Sequence, residues 1–460
     1  MKLLFVHGWN VWNMNSYGRM PEALQAAAPD GVELDIHDIF LGRYINFHDE
    51  VTLDDVARGF DEARKEKIGD DEFSCITHST GGPVVRLWAH LFYGNNRLAG
   101  IPLRHLIMLA PANHGSPLAA LGQKRASRLF KKLWDGVESG TGLLKWLQLG
   151  SEEQMHLNMK WMNYAPAENN FYPFVLTGET IDTKFYDFIN NYLVEPGSDG
   201  VVRVCGANMN YQHIKLVQNG RTITGYDDVE VSLLEPQEGL LHSPPSPMAV
   251  IKGASHSGDA IGIMRCATDE NYEDKPVVAR IIDCLSVGSV EDYDTTIKNF
   301  DDQNKSVQGH NEDTPNLFCS FAFRVGDDRG NSIDDFDMLL LARDDYNPSR
   351  LPKDFFQDRQ FNESSKTLTY YLNYTNLIEA SHFGFRIVAR PDSGFSYYKP
   401  VEFRSNGHDI KDIIKPNQTL IVDVVLKRIV DQNVFRFDPA IGDRDHDFSR
   451  IKPSGHIIKE

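Results

Sequence analysis

The run Phe73-Ser-Cys-Ile-Thr-His-Ser-Thr-Gly-Gly-Pro-Val-Val85 sets a serine between an apolar stretch and a helical pattern. A strand ending in Thr77-His78-Ser79-Thr80-Gly81-Gly82, followed at once by a helix, puts Ser79 on a sharp turn with its hydroxyl above the sheet. Small residues belong there because the turn is strained and the helix packs close to the strand. The helix start faces the same spot, and its unspent amides favour negative charge. A serine hydroxyl alone is a poor nucleophile; it needs a base, and the base needs an orienting acid. The chain offers both in the order Ser, Asp, His. Asp199 stands in the turn Gly197-Ser198-Asp199-Gly200, with Asp182 and Asp187 as rivals nearer the strand that ends at Leu176. His256 follows the apolar run Ala249-Val250-Ile251, with His242, before the proline-rich turn, as its rival. Upstream, Phe5-Val6-His7-Gly8-Trp9 ends a strand in a turn that can aim the Trp9 amide at an oxyanion, and the Thr80 amide supplies a second donor. Losing one such donor typically lowers the rate by about 10²–10³. This is the chemistry of acyl transfer through a covalent acyl-enzyme, which needs no cofactor. His78 and His114 are expected as structural or cleft-lining neighbours, and His7 as a hydrogen-bonding support for the oxyanion loop.

The elements that would position these groups are legible as periodicity. Leu3–Val6, Val32–Ile36, Phe73–Thr77, His105–Ala110, Tyr172–Leu176 and Met248–Ile251 read as strands. Met20–Ala28, the stretch Leu53, Val56, Phe60 and Ala63, and Pro83–Phe92 read as helices. Strands alternating with helices predict a mostly parallel α/β sheet covered on both faces. Residues 116 to about 165 break the rhythm with Leu118, Leu129, Trp134, Leu143, Leu144, Trp146 and Leu147. This insertion is expected as helical hairpins over the sheet, with a lid over an acyl pocket and simple packing as equal readings. Residues 205–247 also fall outside the repeat. The acidic stretch 291–313 reads as a linker. From 314 to 460 seven short apolar runs with turn residues between them, from Phe318–Val325 to Val434–Phe437, predict an antiparallel β-sandwich.

Composition sets the outer limits. The chain has 460 residues, enough for two or three domains, with 41% hydrophobic and 24% charged residues. Lys and Arg number 47 and Asp and Glu 65, so 47 − 65 = −18. A surface that acidic repels polyanions and argues against nucleic-acid binding. The five cysteines are scattered and form no CxxC pair, so buried reduced thiols are expected rather than a zinc knuckle or a disulfide scaffold. No apolar stretch is long enough to span a membrane. The Leu3–Val6 run is too short for a signal peptide, so synthesis in the cytosol is expected, with any export by a route that cleaves no signal. Acidic clusters at Asp327–Asp337 and Asp443–Asp447 lack the spacing of an EF-hand and read as solvated turns rather than calcium sites.

Taken together, Val6-His7-Gly8, Thr77–Gly82, Leu109-Ala110-Pro111-Ala112-Asn113-His114-Gly115-Ser116-Pro117, Ser198–Val202 and Ala254-Ser255-His256 resemble the lipase branch of the α/β-hydrolases. They are similar to bacterial lipases and phospholipases akin to the inositol deacylases of lipid anchors. The resemblance covers roughly residues 1–285, within a catalytic domain expected over 1–290. It implies Ser79 as nucleophile, Asp199 as acid, His256 as base, and Trp9 and Thr80 as the oxyanion hole, with no metal. Thr77 departs from the family pattern, which has glycine there, and puts bulk beside the turn. The implied substrate is a long acyl ester on a glycerolipid or phospholipid, met at a membrane surface. On architecture alone, the C-terminal β domain is expected to help dock the enzyme at a lipid surface or on a protein partner. An acyltransferase using the same triad and a binding protein on a decayed hydrolase scaffold are the alternatives; intact residues 79, 199 and 256 weigh against decay.

Overall fold

In a computed structural model the described residues are 1–7, 17–45, 48–120, 140–182, 195–309, 316–391, 395–405 and 410–431. In chain order the strands of the first half are β1 (Lys2–His7), β2 (Asp35–Phe40), β3 (Phe73–His78), β4 (Leu103–Leu109), β5 (Tyr172–Gly178), β6 (Tyr211–Thr224), β7 (Glu230–Pro236), β8 (Leu241–His242) and β9 (Met248–Ile251). Six of them form an all-parallel sheet in the order β2-β1-β3-β4-β5-β9. Alternate side chains enter two separate cores, because successive residues of a strand point to opposite faces. Leu4, Val6, Cys75, Met108 and Val250 meet α2 (Leu53–Ile68) and α3 (Gly81–Tyr93) on one face. Leu3, Phe5, Ile76, Leu109 and Ile251 meet α1 (Met20–Ala27) and the helix Pro276–Leu285 on the other. A capping box between Thr52 and Asp55 starts α2. The strand expected at 32–36 lies later, at Asp35–Phe40, in register with β1 from Lys2↔Asp35 onward. Its buried residues are Ile39 and Phe40, beyond the alternation that the sequence displays.

The second half adds β10 (Phe318–Asp327), β11 (Phe336–Ala342), β12 (Phe356–Asn362), β13 (Thr367–Asn373), β14 (Phe383–Ala389), β15 (Ser396–Tyr397), β16 (Val401–Arg404), β17 (Thr419–Leu426) and β18 (Ile429–Val430). One sheet runs β11-β14-β16-β7-β6-β17-β10-β13-β12. Phe321 and Phe323 of β10 lie 5.6 and 5.1 Å from Phe383 and Phe385 of β14, although β16, β7, β6 and β17 separate the two strands in the sheet. The sheet therefore curls until its halves face each other around one core, a sandwich made of a single sheet.

Three expectations need correction. The sandwich is mixed rather than antiparallel: β17 runs parallel to β10 and to β6, and β16 parallel to β7. It also recruits β6 and β7, an antiparallel hairpin within the region that seemed irregular, whose outer edges pair with β17 and β16 from far along the chain. The stretch read as a linker is the helix Val290–Gly309, up to the edge of the described residues at 309. Only Tyr293, Thr296 and Phe300 are buried on it, a stripe too sparse to stand out among acidic neighbours.

That helix also completes the sheet. Asn304 Oδ1 accepts the Val250 amide at 2.7 Å and its Nδ2 donates to the Met248 carbonyl at 2.7 Å, so one side-chain amide serves the outer edge of β9 as a further strand would. Asn304→Ala is expected to destabilise the protein by about 2 kcal/mol, because it strands two backbone groups. Asn304→Asp, which accepts but cannot donate, should fall between the two in the urea unfolding midpoint. A second measurement is pH-dependent. Buried His105 accepts from Ser74 Oγ at Nδ1 (2.7 Å) and donates from Nε2 to the Val287 carbonyl (2.8 Å). Burial, aided by Arg104, lowers its pKa from 6.5 to about 4. The folded ring resists a proton that the unfolded ring takes, so this contribution is present above pH 6.5 and is lost as pH falls toward 4. Unfolding free energy should drop by roughly 3 kcal/mol across that window, and His105→Gln should flatten the slope.

Candidate active site

β3 and α3 meet at Ser79, whose φ of +53° is a left-handed conformation that a serine adopts only when its surroundings impose it. Its amide donates to the Leu109 carbonyl at 2.9 Å, tying the bend to the end of β4. Close packing explains the glycines that follow. A Cβ on Gly82 would lie 3.0 Å from Met108 Sδ and from Pro111 Cβ. A Cβ on Gly81 would meet Thr77 Cβ at 3.2 Å, so the bulk of Thr77 is accommodated because residue 81 has no side chain.

Three residues far apart in sequence converge on this bend. His256 Nε2 lies 3.2 Å from Ser79 Oγ, and His256 Nδ1 lies 2.8 Å from Asp199 Oδ2. The other carboxylate oxygen of Asp199 accepts the amides of Val201 (3.0 Å) and Val202 (2.8 Å). With the carboxylate as acceptor, Nδ1 carries the proton and Nε2 presents a lone pair to the serine. A backbone bond from the His256 amide to the Asp199 carbonyl, 3.0 Å, holds the two loops together. Ser79 is 3% exposed and His256 and Asp199 are 0% exposed, so the relay lies in a low-dielectric setting that strengthens it. The arrangement can make the hydroxyl nucleophilic and move its proton.

The remaining candidates fall as follows. Thr80 is the residue from which α3 starts, where helix amides have no intrahelical carbonyl to bond. Trp9 lies outside the described residues, as do Asp187, Trp134 and Asp443–Asp447. His242 is exposed on β8, away from the relay. The carboxylate at His256 Nδ1 is that of Asp199. His7 bonds Asp38 at 2.8 Å and stacks on Phe40. His78 donates from Nε2 to the His256 carbonyl at 3.0 Å, with its ring 4.7 Å from that of His256. Burial and then the neighbouring His256 hold its pKa well below the ordinary histidine value. His114 packs edge-on against Tyr211, 5.0 Å away, and its pKa falls to about 3 through burial and then Arg86. Leu143, Leu144, Trp146 and Leu147 are buried in the core with α2 and α3, so this part of the insertion packs on the domain. Asp327 accepts from Asn331 in a turn, and no cluster able to hold a metal occurs among the described residues. All five cysteines are buried free thiols, and no described helix is long and apolar enough to cross a membrane. A cavity of about 520 Å³ lined by Trp161, Tyr164, Pro173, Tyr211 and Ser246 lies at the amino-terminal ends of β5 and β9, the opposite end of the sheet from His256.

Some residues of the neighbourhood were not legible in advance. Tyr17 donates to the Val6 carbonyl at 2.8 Å and reaches the Ile76 carbonyl at 3.3 Å, bridging β1 and β3 beside the bend. Arg203, four residues after Asp199, is buried against Tyr371 of the second sheet. A lone tyrosine or arginine in a loop carries no pattern that points to such a partner.

No protein-family model matches the chain, and no curated protein matches it. Solved structures do match. Phospholipase PlaB from Legionella pneumophila in complex with thio-NAD is 39% identical, with 100% of each chain covered and a TM-score of 0.85. A second structure of phospholipase PlaB from Legionella pneumophila is also 39% identical, covering 96% of this chain and 97% of that one at a TM-score of 0.84. A likeness sustained from end to end on one fold shows that the chain belongs to the family of phospholipase PlaB within the α/β-hydrolase superfamily, and is a carboxylic ester hydrolase.

Proposed function

We propose that the chain hydrolyses the acyl esters of phospholipids through a covalent acyl-enzyme formed on Ser79. The observation that carries this reading is the unbroken hydrogen-bond relay from Asp199 through His256 to Ser79. It stands on a chain 39% identical over its length to a phospholipase. His256 Nε2 takes the Ser79 proton as Oγ attacks the ester carbonyl. Asp199 keeps the proton of the ring on Nδ1 and stabilises the imidazolium that forms. The Thr80 and Trp9 amides receive the oxyanion. The imidazolium then protonates the leaving alcohol. Water enters, His256 takes its proton, and collapse of the second tetrahedral intermediate releases the fatty acid and Ser79. These steps require no metal and no organic cofactor. The lipid is met at a membrane surface, where long acyl chains are presented together.

Fatty-acid release from phospholipid vesicles, beside p-nitrophenyl esters of rising chain length, tests the reading. Ser79→Ala should lose at least about 10³-fold in turnover and all labelling by a fluorophosphonate. Unchanged labelling of Ser79→Ala would remove the serine from the chemistry. A preference for short soluble esters, with no rise above the micellar concentration, would remove the lipid. Transfer to an added alcohol in place of water would make the enzyme an acyltransferase. Burial and the neighbouring His256 hold the His78 pKa well below the ordinary histidine value, so His78 should add no second proton to the acid limb. The acid limb of kcat/KM against pH should have unit slope, and a slope of two would bring His78 into the titrating machinery.

A further inference from the structure

We propose that the second sheet positions the acid of this site: Tyr371 and Asp358 hold the feet of the hairpin that carries Asp199, which makes the C-terminal half of the chain part of the catalytic apparatus. This rests on the assignment of Asp199 just given.

Residues 197–204 form a small closed hairpin. The Val204 amide donates to the Gly197 carbonyl at 2.9 Å and the Asp199 amide to the Val202 carbonyl at 3.1 Å. The Asp199 carboxylate turns back onto the amides of Val201 and Val202. These bonds fix Asp199 within the hairpin; they do not fix the hairpin against His256. On the side of the parallel sheet, Ser116 Oγ donates to the Val201 carbonyl at 2.6 Å and the His256 amide bonds the Asp199 carbonyl.

The feet rest on the other sheet. The Tyr371 hydroxyl, on β13, donates to the Pro196 carbonyl at 2.7 Å and lies 3.3 Å from the Gly197 carbonyl. Gly197 has a φ of +72°, and a Cβ there would approach Phe318 Cδ2 to 2.3 Å and Tyr371 Oη to 2.6 Å. Only glycine permits this seating. At the other foot the Arg203 guanidinium lies 4.2 Å over the Tyr371 ring and makes a two-pronged bond to Glu195, at 2.8 and 2.7 Å. Its Nη2 also crosses to Asp358 of β12. Arg203 is buried and keeps its charge through these two carboxylates, so one planar group joins the hairpin to the edge of the second sheet. Asp199 lies two residues from one foot and four from the other, so little chain remains to absorb a shift. A carboxylate displaced by about 1 Å no longer meets Nδ1 squarely, and misplacement on that scale is felt in turnover.

Tyr371 and Asp358 are positioning residues in this account, since neither is placed at the reacting atoms. Removing Arg203 outright leaves Glu195 unpaired and risks the fold, so the test uses Tyr371→Phe, which keeps the stacked ring, and Asp358→Asn, at a side chain 27% exposed. On phospholipid vesicles the double variant should lose on the order of 10- to 100-fold in kcat with KM unchanged. The low-field proton resonance of the His256 Nδ1–H bond to Asp199 should move upfield or broaden, and the melting temperature should stay within a few degrees of wild type. Unchanged kcat and an unchanged resonance, alongside an Asp199→Asn variant that is inactive, would overturn the positioning role and leave the triad standing. Full turnover by Asp199→Asn would instead overturn the acid assignment, and this proposal with it. A fall in kcat matched by an equal loss of folded protein, with the resonance of the folded fraction unchanged, would also overturn it.

Discussion

A fully buried carboxylate sets the terms for this molecule. Asp199 has no solvent to stabilise its charge, so the fold must supply the substitutes: two backbone amides on one oxygen and an imidazole N–H on the other. Supplying them requires that a turn at 197–204, a loop after β9 and a bend after β3 meet within hydrogen-bond distance although they are far apart in the chain. The parallel sheet is the means. Its strands end on one side, and each of the two loops and the bend leaves the sheet at that side or leans on it. Breaking any one of those placements would leave a charge or an amide buried without a partner.

The parts of the fold that rest on local pattern were legible in the sequence. The strand at 73–78, the helix from 81 and the glycines between them follow from short-range sterics, and β9 with its following histidine follows from an apolar run and a turn. The parts that rest on distant pairing were not. β6 and β7 pair with each other as a hairpin, but the sheet they join is reached through β17 and β16, near the other end of the chain. β12 carries charged residues along an edge and shows no alternation. The helix at 290–309 hides three buried residues among acidic ones. For the candidate site, residue type and order picked out Ser79, Asp199 and His256, which the fold brings into one hydrogen-bonded line, whereas Tyr17, Arg203 and Tyr371 take their places through geometry alone. Trp9 falls outside the described residues, so its part rests on the sequence and on the proposed mechanism.

The two sheets are interleaved rather than joined end to end. The chain leaves the parallel sheet after β5, passes through Asp199, contributes β6 and β7 to the other sheet, and returns as β9 just before His256. Asp199 and His256 thus sit at the two ends of an excursion through the second sheet. A boundary drawn at residue 290 would fall at the start of the helix Val290–Gly309 and would part β6 and β7 from their partners β17 and β16.

The β6–β17 pairing also bears on how the molecule is made. His213 on β6 and Asp423 on β17 are bonded across 210 positions of the chain. Closing a loop of that span is entropically slow, and it cannot begin until ribosomal synthesis has passed residue 423. β6 therefore waits with one edge open until β17 has left the ribosome, and the nascent polypeptide cannot reach its finished shape before then.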